Sequence, residues 1–142
     1  MEKLSSGIVY YSKHPDFITL RIKGHLTLET SDQIEKNLTS IYAVCAGKKV
    51  LFDLTDTIYV SSSGWGLFLI ANKHIHDLGG RFILAGMSVD LDYTFKLLEF
   101  HNLMNHYPDV ASAFREGVNE PALALPGKGL IEKKSLLRNH WF

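Results

Sequence analysis

Apolar and polar positions along the chain alternate between two periods. Ile8 to Tyr11 and Phe17 to Ile22 read as strands: Phe17, Thr19 and Arg21 interleave with Ile18, Leu20 and Ile22, the period of two that a half-buried strand requires. Pro15 and Asp16 mark the turn between them, so the pattern predicts a hairpin. From Thr30 to Cys45 the period changes to that of a helix, with Ile34, Leu38, Ile41 and Cys45 on one face and Gly47 as a stop. Thr30 to Gln33 has the form of a capping box, which places the helix start at Thr30. Val50 to Leu54 is a short apolar run of the kind found in buried parallel strands.

A second helix is predicted from about Ser63 to Leu78, ending at Gly79 and Gly80, and a second buried strand over Arg81 to Ala85. A third helix follows over Leu91 to Phe100, with Leu91, Phe95 and Leu98 on one face and Asp90 as its cap. His106 and Tyr107 read as a short last strand, and Asp109 caps a final helix that ends near Gly117. This alternation predicts an α/β domain over residues 1–117: a four- to five-stranded mixed sheet with a parallel core, an N-terminal hairpin and about four helices. Residues 118–142 change character. Pro121, Pro126, Gly127 and Gly129 suggest a linker, and Leu130 to Phe142 a candidate extra helix. Leu136, Leu137, Trp141 and Phe142 load it with apolar surface, which favours docking or a homodimer contact over a free end.

Composition narrows the class. A chain of 142 residues, 46% apolar and 21% charged, is long enough to build a core without metals or disulfides. Fifteen basic side chains balance fifteen acidic ones, so there is no basic excess to hold nucleic acid. The tail carries a net charge of +2 and residues 1–117 carry −2. Cys45 is the sole cysteine, which excludes an internal disulfide and a zinc site of paired thiolates. The first residues lack a signal-peptide pattern, and no apolar run approaches the ~20 residues that span a bilayer; the expected setting is cytoplasmic.

Most candidate chemistry falls away on spacing. His74 and His76 are two apart on a predicted helix and face different sides, and His101 and His106 flank a loop without a carboxylate pattern, so no metal site is expected. Ser62 and Ser63 lack the preceding glycine of a nucleophile elbow, and there is no phosphate-binding P-loop. Asp53 closes a strand and Asp56 sits in a loop; both read as loop-shaping residues rather than an acid–base pair. No cofactor site and no enzymatic activity are expected.

The stretch from Asp53 to Gly66 remains. It leads from the carboxyl end of a buried strand into a helix that opens with Ser61, Ser62, Ser63, Gly64, Trp65 and Gly66. A helix N-terminus has unpaired backbone N–H groups and a positive dipole end, so a phosphate there is stabilised by both. Gly64 and Gly66 remove bulk, which would let another protein's backbone come close. The plain alternative is that the serines merely cap the helix.

This stretch resembles the signature of the STAS family, the sulphate-transporter and anti-sigma-factor-antagonist domains. Asp53, Leu54 and Thr55 match its Asp-Leu-Ser/Thr opening, and Ser62, Ser63, Gly64 and Gly66 match its close; the element order from Ile8 to Gly117 is similar too. For members of the anti-sigma-antagonist type, the resemblance implies a non-enzymatic switch. A serine-kinase partner that is also an anti-sigma factor phosphorylates one serine, and a serine phosphatase resets it. Carried over by position, the acceptor is Ser62, with Ser61 and Ser63 as secondary candidates, and the partner surface comprises Asp53, Thr55, Ser61, Ser63, Gly64, Trp65 and Gly66. Two positions depart from the pattern. Ser61 stands where the family carries an acidic residue, and Trp65 where a smaller aliphatic is usual, as either a partner anchor or a core residue. The uncharged Ser61 leaves a second reading open, a phosphate-independent STAS module in a larger signalling or transport complex.

Overall fold

The computed structural model describes residues 2–3, 9–13 and 15–117; the predicted linker and extra helix over 118–142 lie outside them. Strands β2 (Val9–Lys13) and β3 (Phe17–Ile22) form the expected antiparallel hairpin, with β1 (Glu2–Lys3) added antiparallel to β2 at the edge. Beyond β3 the sheet is parallel: β5 (Lys49–Asp53), β7 (Arg81–Ala85) and β8 (Asn105–Tyr107) follow in the order β1-β2-β3-β5-β7-β8. Helices α1 (Leu28–Tyr42), α2 (Ser62–Asp77), α3 (Val89–Leu97) and α4 (Val110–Gly117) complete the domain, with a short 3-10 turn at Phe100–Asn102.

The main core lies on one face of the sheet. Ile18, Leu20, Ile22, Val50, Phe52, Phe82 and Leu84 meet Ile34, Leu38 and Ile41 of α1, Phe68 and Ile75 of α2, and Leu91 and Phe95 of α3. On the opposite face Phe17, Leu51, Ile83 and Tyr107 pack with Ala113 of α4. That second cluster corrects the half-buried reading of β3. Phe17 and Thr19 point away from the main core, yet both are buried, Phe17 against Leu51, Ile83 and Ala113 of this second cluster. Asp109 caps α4 as expected, its carboxylate accepting from Ser112 N at 2.7 Å.

Two helix N-caps differ from the sequence expectation. The N-cap of α1 is Thr27, three residues before Thr30, and Thr30 is the inner member of the capping box: its hydroxyl accepts from Thr27 N at 2.7 Å. Leu26 ends a strand, which makes Thr27 the first residue able to turn into the helix. The N-cap of α3 is Ser88, whose hydroxyl accepts from Leu91 N at 3.2 Å. Asp90 lies inside the first turn instead, where its charge complements the dipole.

A second, two-stranded parallel sheet was not anticipated. Strand β4 (Gly24–Leu26) pairs with β6 (Thr57–Val60), matching His25 to Tyr59 and Leu26 to Val60. Since β4 runs into α1 and β6 runs into α2, this ladder brings the two helix N-termini side by side.

Candidate functional site

The β4–β6 ladder holds the start of α2 in place. Ser61 N donates to Leu26 O at 2.9 Å, joining the end of one strand to the turn after the other. The Ser61 hydroxyl then accepts from Gly64 N at 3.2 Å, which makes Ser61 the N-cap. Ser62 therefore occupies the first helical position, one residue earlier than the sequence pattern placed the helix, and it is exposed. There is no acidic side chain in this first turn, so the positive end of the helix is not neutralised locally.

The two glycines of the motif differ: Gly64 faces inward, which corrects the reading of it as an opening for a partner backbone, whereas Gly66 also lines a cleft between α1 and α2. Both are buried. A Cβ on Gly64 would come within 2.8 Å of Val60 Cγ1 and 2.9 Å of Leu26 Cδ2, so this position keeps the helix close to its own ladder. Trp65 is likewise a core residue: it is 2% exposed, and its ring lies 5.8 Å from Phe68, 6.0 Å from Phe95 and 5.5 Å from Phe100. With three aromatic rings around the indole, the partner-anchor reading of Trp65 does not hold. The larger side chain fills the space between α2, α3 and the 3-10 turn.

Asp53 and Thr55 form a separate device at the carboxyl end of β5. One Asp53 oxygen accepts from Thr55 N at 2.9 Å and from the Thr55 hydroxyl at 2.5 Å. Asp53 is 7% exposed and commits this oxygen to its own loop, whereas Thr55 is exposed. Gly86, which the sequence reading passed over, makes the arrangement possible. Its φ is +80°, and a Cβ there would sit 2.5 Å from Thr55 Oγ1. Asp56 turns the other way and pairs with Arg21, while Thr57 donates to Ile22 O at 2.8 Å. These contacts anchor the start of β6, and Asp56 shapes the loop as expected.

What surrounds Ser62 was largely invisible in the sequence. Ile58 and Tyr59 of β6 are 68% and 53% exposed, and Leu28 at the start of α1 is 64% exposed. Ile70, two turns along α2, is also exposed. Ser63 and Gly66 line a cleft between α1 and α2, together with residues of the first two turns of α1. The surface thus consists of one exposed hydroxyl, a helix N-terminus and several apolar side chains without intramolecular cover. Among the described residues no group of three His, Cys, Asp or Glu side chains could hold a metal ion. Among them, too, no helix is long and apolar enough to cross a membrane.

Comparison with known proteins fits this architecture. The STAS domain model matches residues 10–113, and the chain belongs to that family. The anti-sigma-B factor antagonist of Listeria monocytogenes is 30% identical over 100 residues, covering 70% of this chain and 84% of its own. Among solved structures, an anti-sigma factor antagonist from Mycobacterium paratuberculosis superimposes with a TM-score of 0.68 at 14% identity, covering 76% of this chain and 91% of its own. The anti-sigma factor antagonist SpoIIAA in its unphosphorylated form gives 0.63 at 18% identity, over 79% of this chain and 99% of its own. The phosphorylated form of SpoIIAA, from Bacillus, gives 0.59 at 18% identity, over 76% and 98%. At these identities the structures establish the shared fold, and the family match carries the membership.

Proposed function

We propose that this protein is a non-enzymatic partner-switching module of the anti-sigma-factor-antagonist type, with Ser62 as its phosphoacceptor. The observation that carries the reading is the division of labour between neighbouring serines. Ser61 spends its hydroxyl on the helix cap, and Ser62 presents its own to solvent at the first helical position. A kinase partner would move the γ-phosphoryl group of ATP to Ser62 Oγ, with the hydroxyl proton passing to a kinase base and ADP leaving. The product places about −1.5 to −2 charges beside the exposed apolar side chains of Leu28, Ile58 and Tyr59. A partner docked over Ile58, Tyr59 and Leu28 would then face a desolvated, unpaired charge, and a phosphatase would restore the first state. The relatives named as antagonists, one of them solved in both phosphorylation states, support the reading.

Ser61 in place of the family's acidic residue favours no different reading of the helix start, since the hydroxyl performs the cap without a charge. The phosphate-independent alternative remains an outcome of the test. Intact-mass measurement with peptide mapping, on protein purified from its native source, should show a fraction carrying one phosphoryl group on Ser62, absent in Ser62→Ala. A pull-down with wild type, Ser62→Ala and Ser62→Asp should recover a kinase-fold partner with the first two, with at least ~10-fold weaker binding for the third. No phosphoryl group under any growth condition, together with equal recovery by all three, would remove the switch and leave the phosphate-independent module.

A further inference from the structure

Helix α3 carries an apolar stripe that nothing among the described residues covers. Val89, Tyr93 and Leu97 recur every fourth residue and are 86%, 68% and 66% exposed. Residues at this spacing share one helix face, whereas Leu91 and Phe95 of the same helix are buried in the main core. Beside the stripe lies a groove of about 320 Å³ between α3 and the residues that lead from β8 into α4. Met87, Val89, Tyr107 and Pro108 give it apolar walls, with room for one large side chain. Asp92 and Lys96 pair with each other at 2.9 Å, which leaves Asp90 and Glu99 as exposed carboxylates toward the two ends of the stripe.

The chain itself holds a segment of matching chemistry. Leu130 to Phe142 lies outside the described residues, and its sequence sets Leu130, Leu137 and Trp141 on one side of the candidate helix. Lys133, Lys134 and Arg138 stand there against the single acid Glu132, a charge opposite to that of Asp90 and Glu99. The tether is long enough. Helix α4 starts two residues after Pro108 in the groove wall, and its 8 residues rise about 12 Å. The linker over 118–129 spans roughly 20 Å as a flexible chain and about 40 Å fully extended, so the segment can return to the groove. A tether of this length holds it at a local concentration on the order of millimolar, which favours the chain's own segment over one from another molecule. We propose that Leu130 to Phe142 docks on α3 of its own chain, with Trp141, its largest side chain, in the groove beside Val89. The docked segment covers the apolar stripe, and the contact does not depend on phosphorylation of Ser62.

The test uses fluorescence of the full chain. Trp65 and Trp141 are its two tryptophans, so the difference between wild type and Trp141→Phe isolates the emission of Trp141. Acrylamide should quench that emission at least about threefold less steeply than it quenches N-acetyltryptophanamide, because a docked ring is closed off from solvent. Tyr93→Lys with Leu97→Lys should restore full quenching while the melting temperature stays within about 2 °C, since both side chains are exposed. Lys133→Glu with Lys134→Glu should raise the quenching as well, by bringing like charges together. Trp141 as open as N-acetyltryptophanamide in wild type would overturn the docking. Quenching unchanged by the substitutions on α3 would move the segment off this helix and overturn the assignment of its site. Protection that fades over about a hundredfold dilution, with a dimer in sedimentation, would give the segment to a second copy. Protection that appears only with phosphatidylglycerol vesicles would give it to a membrane surface. Either result overturns docking within one chain.

Discussion

Replacing Ser61 and Ser62 one at a time separates the two roles assigned to them. Ser61 is half-buried and its hydroxyl satisfies Gly64 N at 3.2 Å. Ser61→Ala leaves that donor unpaired at a helix start packed on the β4–β6 ladder, where loss of an N-cap costs about 0.5–2 kcal/mol. In a domain of this size ~1 kcal/mol moves Tm by roughly 4 °C, so the variant should melt about 2–8 °C lower. Ser62→Asp acts in the opposite direction. The side chain is exposed at the first helical position, with no acidic neighbour in the turn, and a negative charge there contributes about 0.3–1 kcal/mol. Its melting temperature should rise by roughly 1–4 °C at low ionic strength, and the gain should shrink in high salt, where the dipole interaction is screened. Calorimetry or circular dichroism at two salt concentrations reads both effects. A Ser62→Asp protein that melts several degrees below wild type would mean that Ser62 is enclosed, and the phosphoacceptor assignment would fall with it. A neutral Ser61→Ala would instead show that the helix start is held by the ladder alone.

Other outcomes follow from the surroundings of the motif. Trp65→Ala should cost about 3–5 kcal/mol, because the indole is closed in by Phe68, Phe95 and Phe100; denaturant unfolding measures it, and a loss below ~1 kcal/mol would return Trp65 to the surface. Gly64→Ala should destabilise despite its better helix propensity, since the new methyl group would overlap Leu26 and Val60; a higher melting temperature would contradict the close approach. Gly86→Ala should destabilise more, because strain at φ +80° adds to a clash with Thr55, and amide shifts of Thr55 should move in any folded fraction. Burial first, and then the Glu35 carboxylate, push the Tyr42 hydroxyl up to about 12. The folded protein thus keeps a proton that the unfolded chain loses near pH 10, so stability is full below pH 10 and falls toward pH 12. Tyr42→Phe should flatten that descent in urea melts across this range, and an identical slope would refute the cause.

The chain's own pattern determined the hairpin, the parallel core and the four helices, because each of those elements writes a local period: alternation in β3, the i, i+4 and i+7 spacing of Ile34, Leu38 and Ile41, the apolar run at Val50. The phosphoacceptor candidate and the family resemblance were legible for the same reason, since Ser62, Ser63 and Gly64 are contiguous. Neighbours distant in sequence were not legible. The β4–β6 ladder joins residues more than thirty positions apart through strands of three and four residues, too short to show a period. That pairing moved the start of α1 to Thr27, placed Ser61 as the cap and turned Gly64 inward. Tertiary packing also decided between the two readings of Trp65, because a large aromatic has the same local signature as an anchor and as a core residue. Lastly, Gly86 meets Thr55, and Ser31 meets Ser63 and Gly66, only after the crossovers have brought strand ends and helix starts to one side of the sheet. Local propensity is a property of neighbours in the chain; the shape and charge of a surface are set by which segments the fold makes adjacent.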